Sequence, residues 1–81
     1  MSKPVNVLNY IITVLENKLA IKVVRMTLIV EDYTLEIHSK DGKTIVLYIN
    51  KYNLEYLKYH IQVYYYTKLL IHTVSRMIEN A

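Results

Sequence analysis

The sequence predicts an α+β domain in the order α-β-β-β-α, a three-stranded antiparallel sheet with two helices on one of its faces and the second helix long. Three observations predict it. Apolar residues recur at spacings of three and four near both ends of the chain and at a spacing of two in the middle. The 81 residues hold one glycine and one proline, so elements must be long and links short. The strongest turn signal, Lys40-Asp41-Gly42, falls inside the alternating region.

Pro4 suits the first turn of a helix, where its missing N–H costs nothing. From there Val7, Leu8, Ile11, Ile12, Val14, Leu15 and Leu19 form one face. Asn6, Asn9, Thr13, Glu16 and Asn17 form the other, which predicts an amphipathic helix to residue 19 or 20. The period then changes to two. Met26, Leu28 and Val30 alternate with Arg25, Thr27 and Ile29, and Tyr33, Leu35 and Ile37 alternate with Thr34, Glu36 and His38. With Glu31-Asp32 as the turn, Val30 faces Tyr33, Leu28 faces Leu35 and Met26 faces Ile37. Thr44 to Asn50 is the third strand. A three-residue loop with Gly42 in the left-handed position places Ile45, Leu47 and Ile49 on the buried face.

From Asn53 to about Glu79 there is no glycine or proline, and Asn50 or Asn53 serves as cap. The spacing predicts one helix on the order of 40 Å long. Its apolar residues fall into two seams: Leu54, Leu57, Ile61, Tyr64, Ile71 and Ile78, and Tyr52, Tyr56, Tyr59, Val63, Tyr66, Leu70 and Met77. The seams begin about 200° apart, so the helix is expected to be covered on both sides. A sheet roughly 20 Å long covers one of them. The other is assigned to a second copy of the chain, with Tyr56, Tyr59, Val63, Tyr66, Leu70 and Met77 as the interface, the alternative being a monomer in which this helix packs between helix 1 and the sheet. In the triple tyrosine, Tyr64 then faces its own sheet and Tyr66 the partner.

Residues 1–81 are expected to form a single domain, near the small end of sizes that fold unaided, and self-association is a natural staple for such a chain. There is no cysteine, hence no disulfide framework, and an intracellular, cytoplasmic setting is expected. The stretch VNVLNYIITVL has an apolar signal-like core, but its asparagines and the charged ENK that follows do not fit a cleavage site. No apolar run reaches the roughly 20 residues that span a bilayer, so no membrane partner is expected.

Ten Lys and Arg against seven Asp and Glu give a mild, scattered positive charge. A protein partner is therefore favoured over nucleic acid. Candidate phosphate contacts are Lys40 and Lys43 in the turn, and Lys51 and Lys58 among tyrosines that suit base stacking. The outer sheet face gathers Arg25, Glu36, His38 and Tyr48, with Arg25 expected opposite His38. This set is the alternative reading as a small enzyme, but without a nucleophile it reads first as cross-strand pairing. The three histidines, His38, His60 and His72, are too scattered along the chain to share an ion. The expectation is a non-enzymatic protein with no metal and no cofactor.

The α-β-β-β-α order with both helices on one face resembles the double-stranded RNA-binding domain. That family carries a glycine and lysine cluster at the start of its second helix, where this chain has Asn50-Lys51-Tyr52-Asn53. It carries a basic loop between its first two strands, where this chain has Glu31-Asp32. The resemblance is thus one of topology and transfers no functional residue. In composition, with many Ile, Tyr and Lys, no Cys, Phe or Trp and little Gly, the chain resembles small accessory proteins of viruses and plasmids of hyperthermophilic archaea. That resemblance implies a regulator, a host-defence antagonist or an assembly factor.

Overall fold

A computed structural model describes residues 4–81. Helix α1 (Pro4–Leu19) leads into strands β1 (Lys22–Ile29), β2 (Asp32–His38) and β3 (Thr44–Asn50), followed by a five-residue helix α2 (Lys51–Glu55) and a long helix α3 (His60–Asn80). The strands form one antiparallel sheet in the order β1-β2-β3. The α+β architecture with its long C-terminal helix is as the sequence predicts.

Helix α1 starts at Pro4 and buries Val7, Leu8, Ile11 and Leu15, the three-and-four repeat read from the sequence. It ends where Ala20 turns left-handed (φ +53°), and the Glu16 carboxylate accepts a 2.9 Å hydrogen bond from the Val23 N–H, tying the helix end to the first strand. The core beneath the helices combines these α1 residues with Ile21, Leu35, Ile37, Ile45, Leu47, Ile49, Leu54, Leu70 and Val74.

The second hairpin is built as expected. Ser39 N–H bonds Lys43 O, Gly42 N–H bonds Ser39 O, and Gly42 sits at φ +84°, which sends Ile45, Leu47 and Ile49 into the core.

The first hairpin differs from expectation by two residues in register. Leu28 lies opposite Tyr33, Met26 opposite Leu35 and Val23 opposite Ile37, and the turn is Val30-Glu31 rather than Glu31-Asp32. Asp32 is drawn into β2 instead, paired with Asn50 of β3. Strand β1 also starts three residues earlier than predicted, made possible by an irregularity between Val23 and Arg25 that accommodates one extra residue. Because the shift is by two, the residues that stay on the ladder keep their faces, whereas Val30 leaves it for the turn and is exposed. Val30 is held at φ +57°, an unfavourable conformation for a β-branched residue.

The single C-terminal helix of the prediction is two helices. Asn50 caps α2 by accepting from Tyr52 N–H at 2.9 Å. The chain leaves helical geometry after Tyr56, and Tyr59 is extended (φ −120°, ψ 151°). Gln62 restarts the helix, its Oε1 accepting from the Lys58 and Tyr59 N–H groups at 2.7 and 3.0 Å. The break has a packing reason. In an unbroken helix Leu54 and Leu70, sixteen residues apart, would point about 160° away from each other. With the break both are buried in the same core.

Candidate functional site

That break brings most of both seams to one core, with Leu54, Leu57, Ile71 and Ile78 of the first packed beside residues of the second. Leu70 is 6 % exposed in the core, and Val63, Tyr66 and Met77 are half-buried against it. Four of the six residues expected to meet a partner therefore pack inside their own chain, and only Tyr56 and Tyr59 present their rings to water. The triple tyrosine is reversed with them. Tyr66 is the inward ring, and burial pushes its hydroxyl above the ordinary tyrosine range, with the Asn53 side chain opposing in part. Tyr64 and Tyr65 are exposed, stacked edge to face with centroids 5.4 Å apart.

The outward face of α3 carries Ile61, Tyr65 and Leu69 at successive steps of four, with Tyr64 beside them, each more than half exposed. This ridge is continuous with a groove between α3 and α1. Tyr10 and Tyr64 stand on it, with Asn6, Val7, His60 and Val63 lining about 440 Å³ at one end. Val14, Lys18, Thr67, Lys68 and Ile71 line a further 350 Å³ at the other. Lys68 lies over the Tyr64 ring at 5.4 Å from its centroid. Tyr10 and Leu69 were not singled out by sequence reasoning, and Tyr65 was placed only beside the first seam. The four-residue steps of the α3 ridge were a readable signal, hidden by the assumption of one unbroken helix.

The four candidate lysines do not form one surface. Lys40 and Lys43 lie at the β2–β3 turn, whereas Lys51 and Lys58 follow the other end of β3, a strand length away. Lys43 has structural work, donating at 2.9 Å to the Ile78 carbonyl near the end of α3, where the helix dipole favours a cation. Lys51 sits over its neighbour Tyr52, 5.3 Å from the ring centroid. Lys40 and Lys58 are exposed.

On the outer sheet face Arg25 lies opposite Glu36 rather than His38, a consequence of the shifted register. Glu36 is approached by Arg25 Nε at 4.0 Å and by His38 Nε2 at 3.1 Å. Tyr48 pairs with Thr34 one step along, with its ring exposed. The arrangement is a solvated row of cross-strand pairs, in which such ion pairs contribute little. In the β2–β3 turn the Ser39 hydroxyl donates to Asp41 at 2.5 Å, and this bond, with Lys43 nearby, holds the Asp41 carboxyl below its ordinary value. Among the described residues no three His, Asp or Glu side chains converge, and no helix is long and apolar enough to cross a membrane.

No protein-family profile, no curated protein and no solved structure matches the chain.

Proposed function

We propose that the chain is a small non-enzymatic binding protein, an accessory or regulatory factor of a virus or plasmid, that works as a homodimer in the cytoplasm and holds a protein partner on the tyrosine-rich face of α3 and α1. The observation that carries this reading is the ridge of Ile61, Tyr64, Tyr65 and Leu69 beside Tyr10, all exposed although the domain core is complete without them. A contiguous aromatic and aliphatic patch of this kind marks an interaction surface more often than an idle one. Tyrosine suits it because the ring packs while the hydroxyl stays hydrated. The C-terminal helix, expected to meet a second copy, is here assigned a different protein on its exposed ridge.

A second reading has its own support. From Tyr56 to Ile78 the chain holds Lys58, Lys68 and Arg76 and no acidic residue, so the same tyrosines stand in a weakly positive field that suits single-stranded nucleic acid. One experiment separates the two. The protein and its Tyr64→Ser/Tyr65→Ser variant are used as bait, any protein retained is identified and rebound in purified form, and a gel shift with single-stranded RNA is run at low and high salt. The protein-partner reading expects a purified partner that binds the parent and loses at least tenfold in affinity with the variant. A salt-sensitive gel shift with no such partner favours nucleic acid instead.

A further inference from the structure

Strand β1 is one edge of the sheet, and its apolar surface is left in water. Val24, Met26, Leu28, Ile29 and Val30 are exposed by 41 % at Met26 up to 85 % at Val30, whereas the inward residues of β2 and β3 are covered by the helices. Beyond Arg25 and the bulge near Val24 the strand carries no proline and no charge, and its helix-facing Met26 and Leu28 are apolar. The other edge, β3, differs, because its helix-facing Ile45, Leu47 and Ile49 are already buried.

We propose that β1 is the homodimer interface, pairing antiparallel with β1 of a second copy about a two-fold axis through Thr27 to make a continuous six-stranded sheet. This rests on the reading of the protein as a homodimer and assigns its interface to a surface separate from the α3 ridge.

Three features select a second copy as the occupant. The first is hydrogen bonding. The two-residue turn makes Ile29 and Asp32 the closing bonded pair, so the backbone groups of Ile29 and Thr27 point at β2 and those of Met26 and Leu28 point outward. A two-fold at Thr27 sets Met26 opposite the second copy's Leu28 and Leu28 opposite its Met26, both bonded pairs, with the two threonines as the close unbonded pair between them. The bulge near Val24 confines the regular ladder to Arg25–Ile29.

The second feature is charge. The strand is basic at its start, Lys22 and Arg25, and ends in the acidic turn residues Glu31 and Asp32. Antiparallel pairing lays each basic end beside the other copy's acidic turn, twice per dimer, and keeps Arg25 opposite Ile29 rather than another arginine. Parallel pairing would set like against like. The third is area. Five apolar side chains leave on the order of 500 Å² free per copy, an upper limit on what the contact covers because Val24 and Val30 flank the ladder, and twice that area reaches the small end of specific interfaces.

The test uses the absence of cysteine from the chain. In Thr27→Cys the introduced thiols of two copies meet at an unbonded pair, where the backbone separation is within disulfide reach. Tyr65→Cys serves as the comparison on the α3 ridge. Under mild oxidation at tens of micromolar, Thr27→Cys is expected to give a covalent dimer with an unchanged circular dichroism spectrum, while Tyr65→Cys stays monomeric under denaturing conditions. Cross-linking at Tyr65→Cys alone, or at neither, overturns the proposal. The mass of the unaltered chain in solution is a second readout: a dimer is expected, weakened at least tenfold by Leu28→Lys, and a monomer overturns the proposal whatever the variants do. The cross-link does not depend on any bound partner, so it stands or falls separately from partner binding at the α3 ridge.

Discussion

Met26 and Leu35 are direct cross-strand partners of similar size on the same face of the same sheet, yet Leu35 is fully buried while Met26 is 41 % exposed. The difference lies in what stands above them. Helices α1, α2 and α3 form one layer, with α2 and α3 against β3 and α1 against α2, α3 and β1, where Val23 joins the core, and that layer leaves Met26 to Val30 of β1 exposed. The two halves of the sheet therefore have different uses. Strands β2 and β3 make the fold, and β1 is stabilised on one side by β2 and offers the other to whatever pairs with it.

The comparison can be broken most sharply by truncation. Leu35→Ala removes a fully buried side chain and is expected to lower unfolding free energy by about 2–5 kcal/mol in denaturant titration. Met26→Ala, its partner across the ladder, is expected to cost under about 1 kcal/mol in dilute solution, because the side chain is already largely wet. Equal losses would mean that β1 is covered in the monomer after all. Next in size is the helix restart. Gln62→Ala frees the Lys58 and Tyr59 N–H groups and is expected to cost about 1 kcal/mol, seen as a lowered Tm with an unchanged fold.

How much of this was legible in the sequence depends on which residues carried the signal. Gly42 allows a two-residue or a three-residue loop, and the three-residue one is preferred because it buries Ile45, Leu47 and Ile49, a more apolar set than Val46 and Tyr48, as the structure has it. In the first hairpin the alternation alone identified the faces but not the pairing, because a slip of two residues preserves every inside and outside position. Glu31-Asp32 carries no turn signal strong enough to choose, and the chain instead strains Val30. The two opposed seams of the C-terminal region were read correctly as a pattern and wrongly as a cause. A break at residues 56–59 is what brings both to one core, and its marker, Gln62 reaching back to the preceding N–H groups, lacks the Ser or Thr partner that usually announces it. The free edge was illegible for a simpler reason: strand order and helix coverage are properties of the assembled layers.

Smaller effects sharpen the picture of the β1 end. Val30→Gly is expected to stabilise the protein by up to about 1 kcal/mol in thermal unfolding, by relieving φ +57° at a β-branched residue with little packing to lose. At the opposite end of the sheet, Asp41 is held below its ordinary carboxyl value near 3.8 by the Ser39 hydroxyl. Its folded pKa is depressed, so its contribution is complete above the unfolded value and is lost as pH falls through the folded one. Ser39→Ala should accordingly lower stability at neutral pH, where that contribution is complete, and the gap to the parent should narrow as pH falls below 3.8.

The most direct test of the free edge is amide hydrogen exchange along β1 at two protein concentrations. Thr27 and Ile29, which point at β2, should be protected at both. Met26 and Leu28, which point outward, should be protected when the protein is concentrated and exchange quickly on dilution. Fast exchange of Met26 and Leu28 at every concentration, beside protected Thr27 and Ile29, would contradict pairing at this edge.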